Sequence, residues 1–168
     1  MIKRELYMNR IRPFIGGELI KVMTGIRRSG KSVMLELIKE ELAEAGVAPS
    51  QMISINFEDM RYSHLQTATA LHDEIIKRAE GIEGKAYLFF DEIQEVEGWE
   101  KCVNSLRVAL DCDIYITGSN AKLLSGELAT YIGGRYVEFV IYPFSFAEFL
   151  ELYHTIAPSD SIQQCFQK

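Results

Sequence analysis

Residues 24–32 read TGIRRSGKS, and within them a glycine, four further residues and then Gly-Lys-Ser fit the pattern of a loop that wraps phosphates. Glycines let the backbone curl so that successive N–H groups point at phosphate oxygens, and a helix starting at the loop adds its positive amino-terminal end. Lys31 would reach the terminal phosphates, and the Ser32 hydroxyl would ligate magnesium. The middle positions of such a loop offer mainly backbone N–H groups, so Arg27 and Arg28 are expected to project outward. With Gly25, Ile26, Ser29, Gly30 and Val33 they complete the expected nucleotide-binding stretch.

A second constellation closes the apolar run Ala86-Tyr87-Leu88-Phe89-Phe90, which ends in Asp91-Glu92. A parallel sheet presents its ligand-binding groups at the carboxyl ends of its strands, where these two acids would fall. Asp91 is expected to hold magnesium, and Glu92 to orient and deprotonate an attacking water. Alternation along a strand aims neighbouring side chains in different directions, which suits two separate tasks. The competing reading is an Asp-Glu pair that caps a turn. The complete phosphate loop, about sixty residues earlier, outweighs it.

Two further spots stand where such a site needs them. Thr117-Gly118-Ser119-Asn120 ends another apolar run, so the Ser119 hydroxyl or Asn120 amide is expected to sense the terminal phosphate or position the water. Arg135 has two readings. One is an arginine finger that reaches a neighbouring subunit's nucleotide and neutralises developing charge; the other is a surface arginine paired with Glu138. Arg4, Arg10 and Arg12 have three: a flank of the adenine-ribose side, a contact for an acidic partner, or a solvated face, with the last as default. His64, His72 and His154 share no metal-ligand spacing, and Ser32 has no His/Asp arrangement that would make it a nucleophile.

These groups need a scaffold, and the chain alternates apolar runs with helical patterns from Leu19 onward, which points to an α/β fold with a parallel sheet. Strands are expected at 19–24, 52–59, 86–92, 113–119 and 136–143. The run after the loop predicts a helix, with Val33, Leu35, Leu37, Ile38 and Leu42 on its apolar face, ending at Gly46. Other helices are expected over 65–81, 99–110 and 121–134. A last one opens at Ser145, with Glu148 completing a capping box. Trp99 is expected to wedge its helix onto the sheet.

With 168 residues and 48% apolar content, the chain suffices for one domain with a real core. Net charge is -6, yet residues 1–31 carry eight basic and two acidic groups, which leaves an acidic body. That balance argues against a nucleic-acid footprint over the whole surface. Three cysteines without a Cys-x-x-Cys pair suit a reduced, cytoplasmic protein, and no run of about 18 apolar residues suggests a membrane span.

The combination of IKVMTGIRRSGKSVML, LFFDEIQEVEGWE and ITGSNAKLLSGELATYIGGRYVEFVIYPFSFAEFL resembles a family of bacterial and archaeal AAA-type ATPases with an uncharacterised carboxyl-terminal domain. Gly134-Arg135 followed by Tyr142-Pro143-Phe144-Ser145-Phe146 is the most diagnostic part. The resemblance implies a P-loop NTPase fold of additional-strand (AAA-type) topology, a five-stranded parallel sheet with helices on both faces, and one strand between the loop strand and the Asp-Glu strand. It also implies Asp91 and Glu92 as the Walker B pair and a sensor role in Ser119-Asn120. The expected organisation is a basic segment at 1–18, an ATPase core at 19–155, and the start of a further region at 156–168.

ATP and magnesium are the expected ligands, and the absence of an Asn-Lys-x-Asp stretch speaks against GTP. The leading expectation is ATP hydrolysis coupled to conformational change in an unidentified protein partner or a further domain. Arg135 adds the expectation of a homo-oligomer. The alternative is a nucleotide-dependent switch or scaffold with little hydrolysis.

Overall fold

A computed structural model describes residues 2–119 and 132–156. Five strands, β1 (Ile20–Thr24), β2 (Met52–Asn56), β3 (Ala86–Asp91), β4 (Cys112–Gly118) and β5 (Tyr136–Val140), form one parallel sheet in the order β2-β3-β4-β1-β5. β4 therefore lies between the loop strand β1 and the Asp-Glu strand β3, as the resemblance implied. Both β1 and β4 are buried along their whole length, whereas β2, at one edge, alternates buried and exposed positions. Continuous apolar runs thus occupy the centre of the sheet, where both faces are covered.

The described residues include five α-helices: α1 (Glu5–Ile11), α2 (Lys31–Glu44), α3 (Ala68–Ala79), α4 (Trp99–Ala109) and α5 (Phe146–Ile156). Strand alternation divides the core between two faces. Val22, Leu88, Phe90, Ile114 and Ile116 pack with Leu71 and Ile75 of α3 and Trp99, Val103 and Leu106 of α4. Met23, Phe89, Tyr115 and Phe139 face Tyr7, Met8 and Ile11 of α1 and Met34, Leu35 and Ile38 of α2. There the Phe89 and Tyr115 rings stack with centroids 4.9 Å apart.

Several boundaries depart from expectation for identifiable reasons. Within the basic segment at 1–18, where no element was assigned, Tyr7, Met8 and Ile11 make a buried stripe on α1, followed by a 3-10 turn at Arg12–Phe14. In α2 the apolar face includes Met34, fully buried, while Val33 is 36% exposed and turns to the loop side. α3 starts at Ala68 rather than residue 65, since Thr67 Oγ1 accepts from Ala70 N at 3.3 Å and Met60–Leu65 form a 3-10 helix. The capping box of α5 forms as expected: Glu148 Oε2 accepts from Ser145 N at 2.8 Å, and Ser145 Oγ accepts from Glu148 N at 3.3 Å. The helix expected over 121–134 falls largely outside the described residues, as does Cys165.

Beneath the sheet's amino ends, Lys21 and Asp113 form a fully buried ion pair. Asp113 also accepts from Tyr115 Oη and Gly16 N, each at 2.7 Å, and Lys21 Nζ donates to Gly17 O at 3.0 Å. Burial lowers the Lys21 ammonium from its ordinary range and, together with the Asp113 charge, raises the Tyr115 phenol. Burial pushes the Cys102 and Cys112 thiols up to about 12 and about 11, which fits packing rather than reactive cysteines. Among the described residues no helix is long and apolar enough to cross a membrane.

Candidate functional site

The chain leaves β1 at Thr24 and enters α2 at Lys31, so residues 25–30 make the turn the sequence predicted. Gly25 is required by close approach: a Cβ there would lie 2.3 Å from Ile141 O and 2.7 Å from Ser29 Oγ. Gly30, at the amino cap of α2, has φ 95°, and Arg28 has φ 64°. These left-handed residues curl the loop back over the helix start, a shape that gathers backbone N–H groups. Arg27 and Arg28 are exposed, as expected, and stand at the wall of a cavity of about 420 Å³ lined also by Gly30, Lys31, Ser32, Val33, Glu58 and Glu92.

Lys31 is only 5% exposed. Its ammonium makes long contacts, each 3.4 Å, to Gly25 O, Ile26 O and Glu92 Oε1. The Ser29 hydroxyl is buried, with no hydrogen-bond partner among the described residues. A loosely held cation, an orphaned hydroxyl and a cradle that a Cβ would fill all fit an anion that brings several acceptor oxygens. Ser32, exposed in the first turn of α2, offers a hard oxygen donor at the same mouth.

Asp91 and Glu92 separate as strand geometry predicts. Asp91 is 6% exposed, accepts from Asn56 Nδ2 at 3.2 Å, and takes a second hydrogen bond from Thr117 Oγ1. Glu92 leaves the strand with φ 55°, a left-handed conformation that costs a non-glycine residue roughly 1–2 kcal/mol. The turn carries its carboxylate to Lys31, and Oε2 accepts from Gln94 Nε2 at 2.6 Å. Its backbone N–H donates to Thr117 Oγ1 at 3.0 Å, so one hydroxyl from β4 holds both acids in place. Among the described residues no group of three or more His, Cys, Asp or Glu could hold a metal by itself. Ser32 and Asp91 suit magnesium, which keeps several waters and takes substrate phosphates beside one or two carboxylates.

Ser119 follows the end of β4, half-buried at the carboxyl edge of the sheet, and Asn120 lies outside the described residues. Arg135 stands elsewhere. Its backbone carbonyl accepts from Ile20 N at 2.9 Å, which places it beside the beginning of β1, at the edge of the sheet opposite the loop. The expected pairing with Glu138 does not form: Arg135 Nη1 donates to Asn104 Oδ1 at 3.1 Å, and Glu138 Oε1 accepts from Thr24 Oγ1 at 2.6 Å. Register explains the swap: Glu138 lies beside Val22, midway along β1 and within reach of Thr24, while Arg135 precedes β5 at the other end.

The default reading of the amino-terminal arginines needs a correction. Arg4 is 2% exposed and bonds to the backbone of the phosphate loop, whereas Arg12 sits on the surface between Glu5 and Glu41. Sequence reasoning also passed over Asn56 and Glu58, which reach the site only because β2 pairs with β3. The one signal available was their place at the end of an apolar run.

Comparison with known proteins agrees with this fold. A family model described as an AAA domain matches residues 18–150. An uncharacterized protein of Haemophilus influenzae is 44% identical over 168 residues, all of this chain and 42% of its own length. An uncharacterized protein of Methanocaldococcus jannaschii is 41% identical over 133 residues, 79% of this chain and 28% of its own length. The chain thus spans less than half the length of these relatives. Among solved structures, AMPPCP-bound DnaA from Aquifex aeolicus has a TM-score of 0.58 at 15% identity, covering 95% of this chain and 52% of that one. A RuvB mutant from Thermotoga maritima has a TM-score of 0.52 at 18% identity, covering 93% and 49%. At such identities these structures show a shared fold.

Proposed function

The chain belongs to the AAA domain family, and we propose that it binds Mg-ATP and hydrolyses it by attack of water, the cycle driving a conformational change in a protein partner or in a further region of a longer protein. The observation that carries this reading is the meeting of Lys31 and Glu92, 3.4 Å apart, at one cavity. The cation suited to phosphate comes from the start of α2, the carboxylate suited to activating water from the end of β3, and the two converge.

Lys31 would exchange its long contacts to loop carbonyls for phosphate oxygens, a stronger charge-assisted bond. Glu92 would accept the proton of the attacking water, and Thr117 keeps Asp91 and Glu92 aimed apart. Ser32 and Asp91 would hold magnesium, whose charge offsets that developing on the transferred phosphoryl group. Ser119 and Asn120 would contact the terminal phosphate. Arg135, on the far edge from its own loop, would serve the nucleotide of a neighbouring copy in a homo-oligomer. Gln94 and Lys31 already occupy both oxygens of Glu92, and this supports a second reading, a nucleotide-dependent switch with little turnover.

Magnesium-dependent ATP titration and phosphate release test the proposal together. Lys31→Ala is expected to weaken binding on the order of 10- to 100-fold, the value of a hydrogen-bonded charge. Glu92→Gln should keep binding and lose turnover on the order of 100-fold or more. Parent-like binding by Lys31→Ala would remove the phosphate-loop assignment. Tight Mg-ATP binding with no turnover in the parent would select the switch.

A further inference from the structure

Arg4 ties the amino-terminal segment to two stretches of chain far away in sequence. Its Nη1 donates to Ser29 O at 2.8 Å, its Nη2 to Tyr142 O at 2.8 Å, and its Nε to Glu148 Oε1 at 2.9 Å. The guanidinium lies over two aromatic rings, 4.6 Å from the Tyr7 centroid and 5.1 Å from that of Phe144. Tyr7 reinforces the junction, its Oη accepting from Tyr142 N at 3.1 Å. The residue is held in a left-handed conformation, φ 42°, for which an arginine has no intrinsic preference.

We propose that Arg4 is a positioning residue that couples the phosphate loop to the segment after β5, residues 141–156, so that nucleotide occupancy and the docking of α5 set each other. The proposal rests on the reading that the loop binds Mg-ATP. Ser29 O and the Gly30 N–H are opposite ends of one trans peptide, so a donor fixed on the carbonyl fixes where the N–H points. It also polarises that N–H, since hydrogen bonds in a chain strengthen one another. Gly30 lines the cavity, and a Cβ on it would stand 3.0 Å from Arg4 Nη1. On the other side, Glu148 is both the capping-box acid of α5 and the carboxylate on Arg4. Burial pushes its pKa up, but the bonds from Arg4 and Ser145 outweigh this and hold it below the ordinary range. A shift of the 29–30 peptide on phosphate binding therefore passes through one guanidinium to the start of α5. Linkage requires the reverse effect to be equal.

The test compares the parent with Arg4→Lys and Glu148→Gln by ATP titration with magnesium, thermal melting, and hydrogen exchange of amides 141–156 with and without Mg-ATP. Lysine keeps the charge but cannot bond in three directions from a plane. Mg-ATP is expected to slow exchange in 141–156 of the parent. Both variants should lose that response and bind ATP on the order of 3- to 10-fold more weakly, although Glu148 does not touch the loop. A purely structural Arg4 would lower the melting temperature and leave the nucleotide-dependent protection intact, which would overturn the proposal. So would a parent that binds Mg-ATP with no change in 141–156. If Arg4→Lys fails to fold, Glu148→Gln carries the same readouts. Absence of Mg-ATP binding by the parent would instead defeat the reading of the loop itself, and the coupling with it.

Discussion

Charged groups gather at both ends of the sheet, and the two ends treat them in opposite ways. At the amino ends, Lys21 and Asp113 are fully buried, and Tyr115, Gly16 and Gly17 complete their hydrogen bonds. At the carboxyl ends, among the described residues, the contacts of Lys31 are 3.4 Å long, the Ser29 hydroxyl has no partner, and Glu92 is held in a left-handed turn. A buried charge survives where its partners are complete, so the first arrangement is finished and holds the strands. The second leaves polar capacity unused beside a cavity, which is the condition of a site that awaits a ligand.

The largest expected effect concerns an exposed arginine at the closed end, Arg135. If it serves a neighbour's nucleotide, Arg135→Ala should reduce turnover on the order of 1000-fold. Mixing that variant with Glu92→Gln chains should then restore activity, because each supplies what the other lacks. Parent-like turnover by Arg135→Ala would make it a surface residue bonded to Asn104, and the closed end would be structural throughout. Next in size is the buried pair. Lys21→Met leaves Asp113 without its cation and is expected to cost about 3–5 kcal/mol in denaturant unfolding. ATP affinity of the folded fraction should be unchanged, and a parallel loss of both would erase the distinction between the two ends. Gly25→Ala should act on both quantities: forcing a Cβ against Ile141 O is expected to cost about 1–3 kcal/mol. It should also weaken ATP binding by distorting the loop, measurable in the same titration.

The open end was far more legible in the sequence than the closed one. Gly25 through Ser32 and Asp91-Glu92 are contiguous patterns whose chemistry follows from residue type and spacing, and the strand-loop-helix context around them is equally local. Lys21 and Asp113 were invisible for the complementary reason: each is a lone charge in an apolar run, and only the pairing of β1 with β4 brings them together. Arg4 was misread as solvated because nothing near it in sequence announces a partner. Its partners are 25, 138 and 144 residues away.

What the sequence by itself determined is therefore the alternating α/β plan, the phosphate loop, the two acids at a strand end and the capping box of α5, each encoded within a few residues. Tertiary structure alone decided which side chains complete those motifs: Thr117 and Asn56 on Asp91, Gln94 turned onto Glu92, Arg4 on the loop, Arg135 on Asn104. The reason is physical. Periodicity and turn chemistry specify an element from its own residues, whereas strand order and the loops between elements set which distant side chains meet, and burial then selects the pairings that leave few charges unmatched.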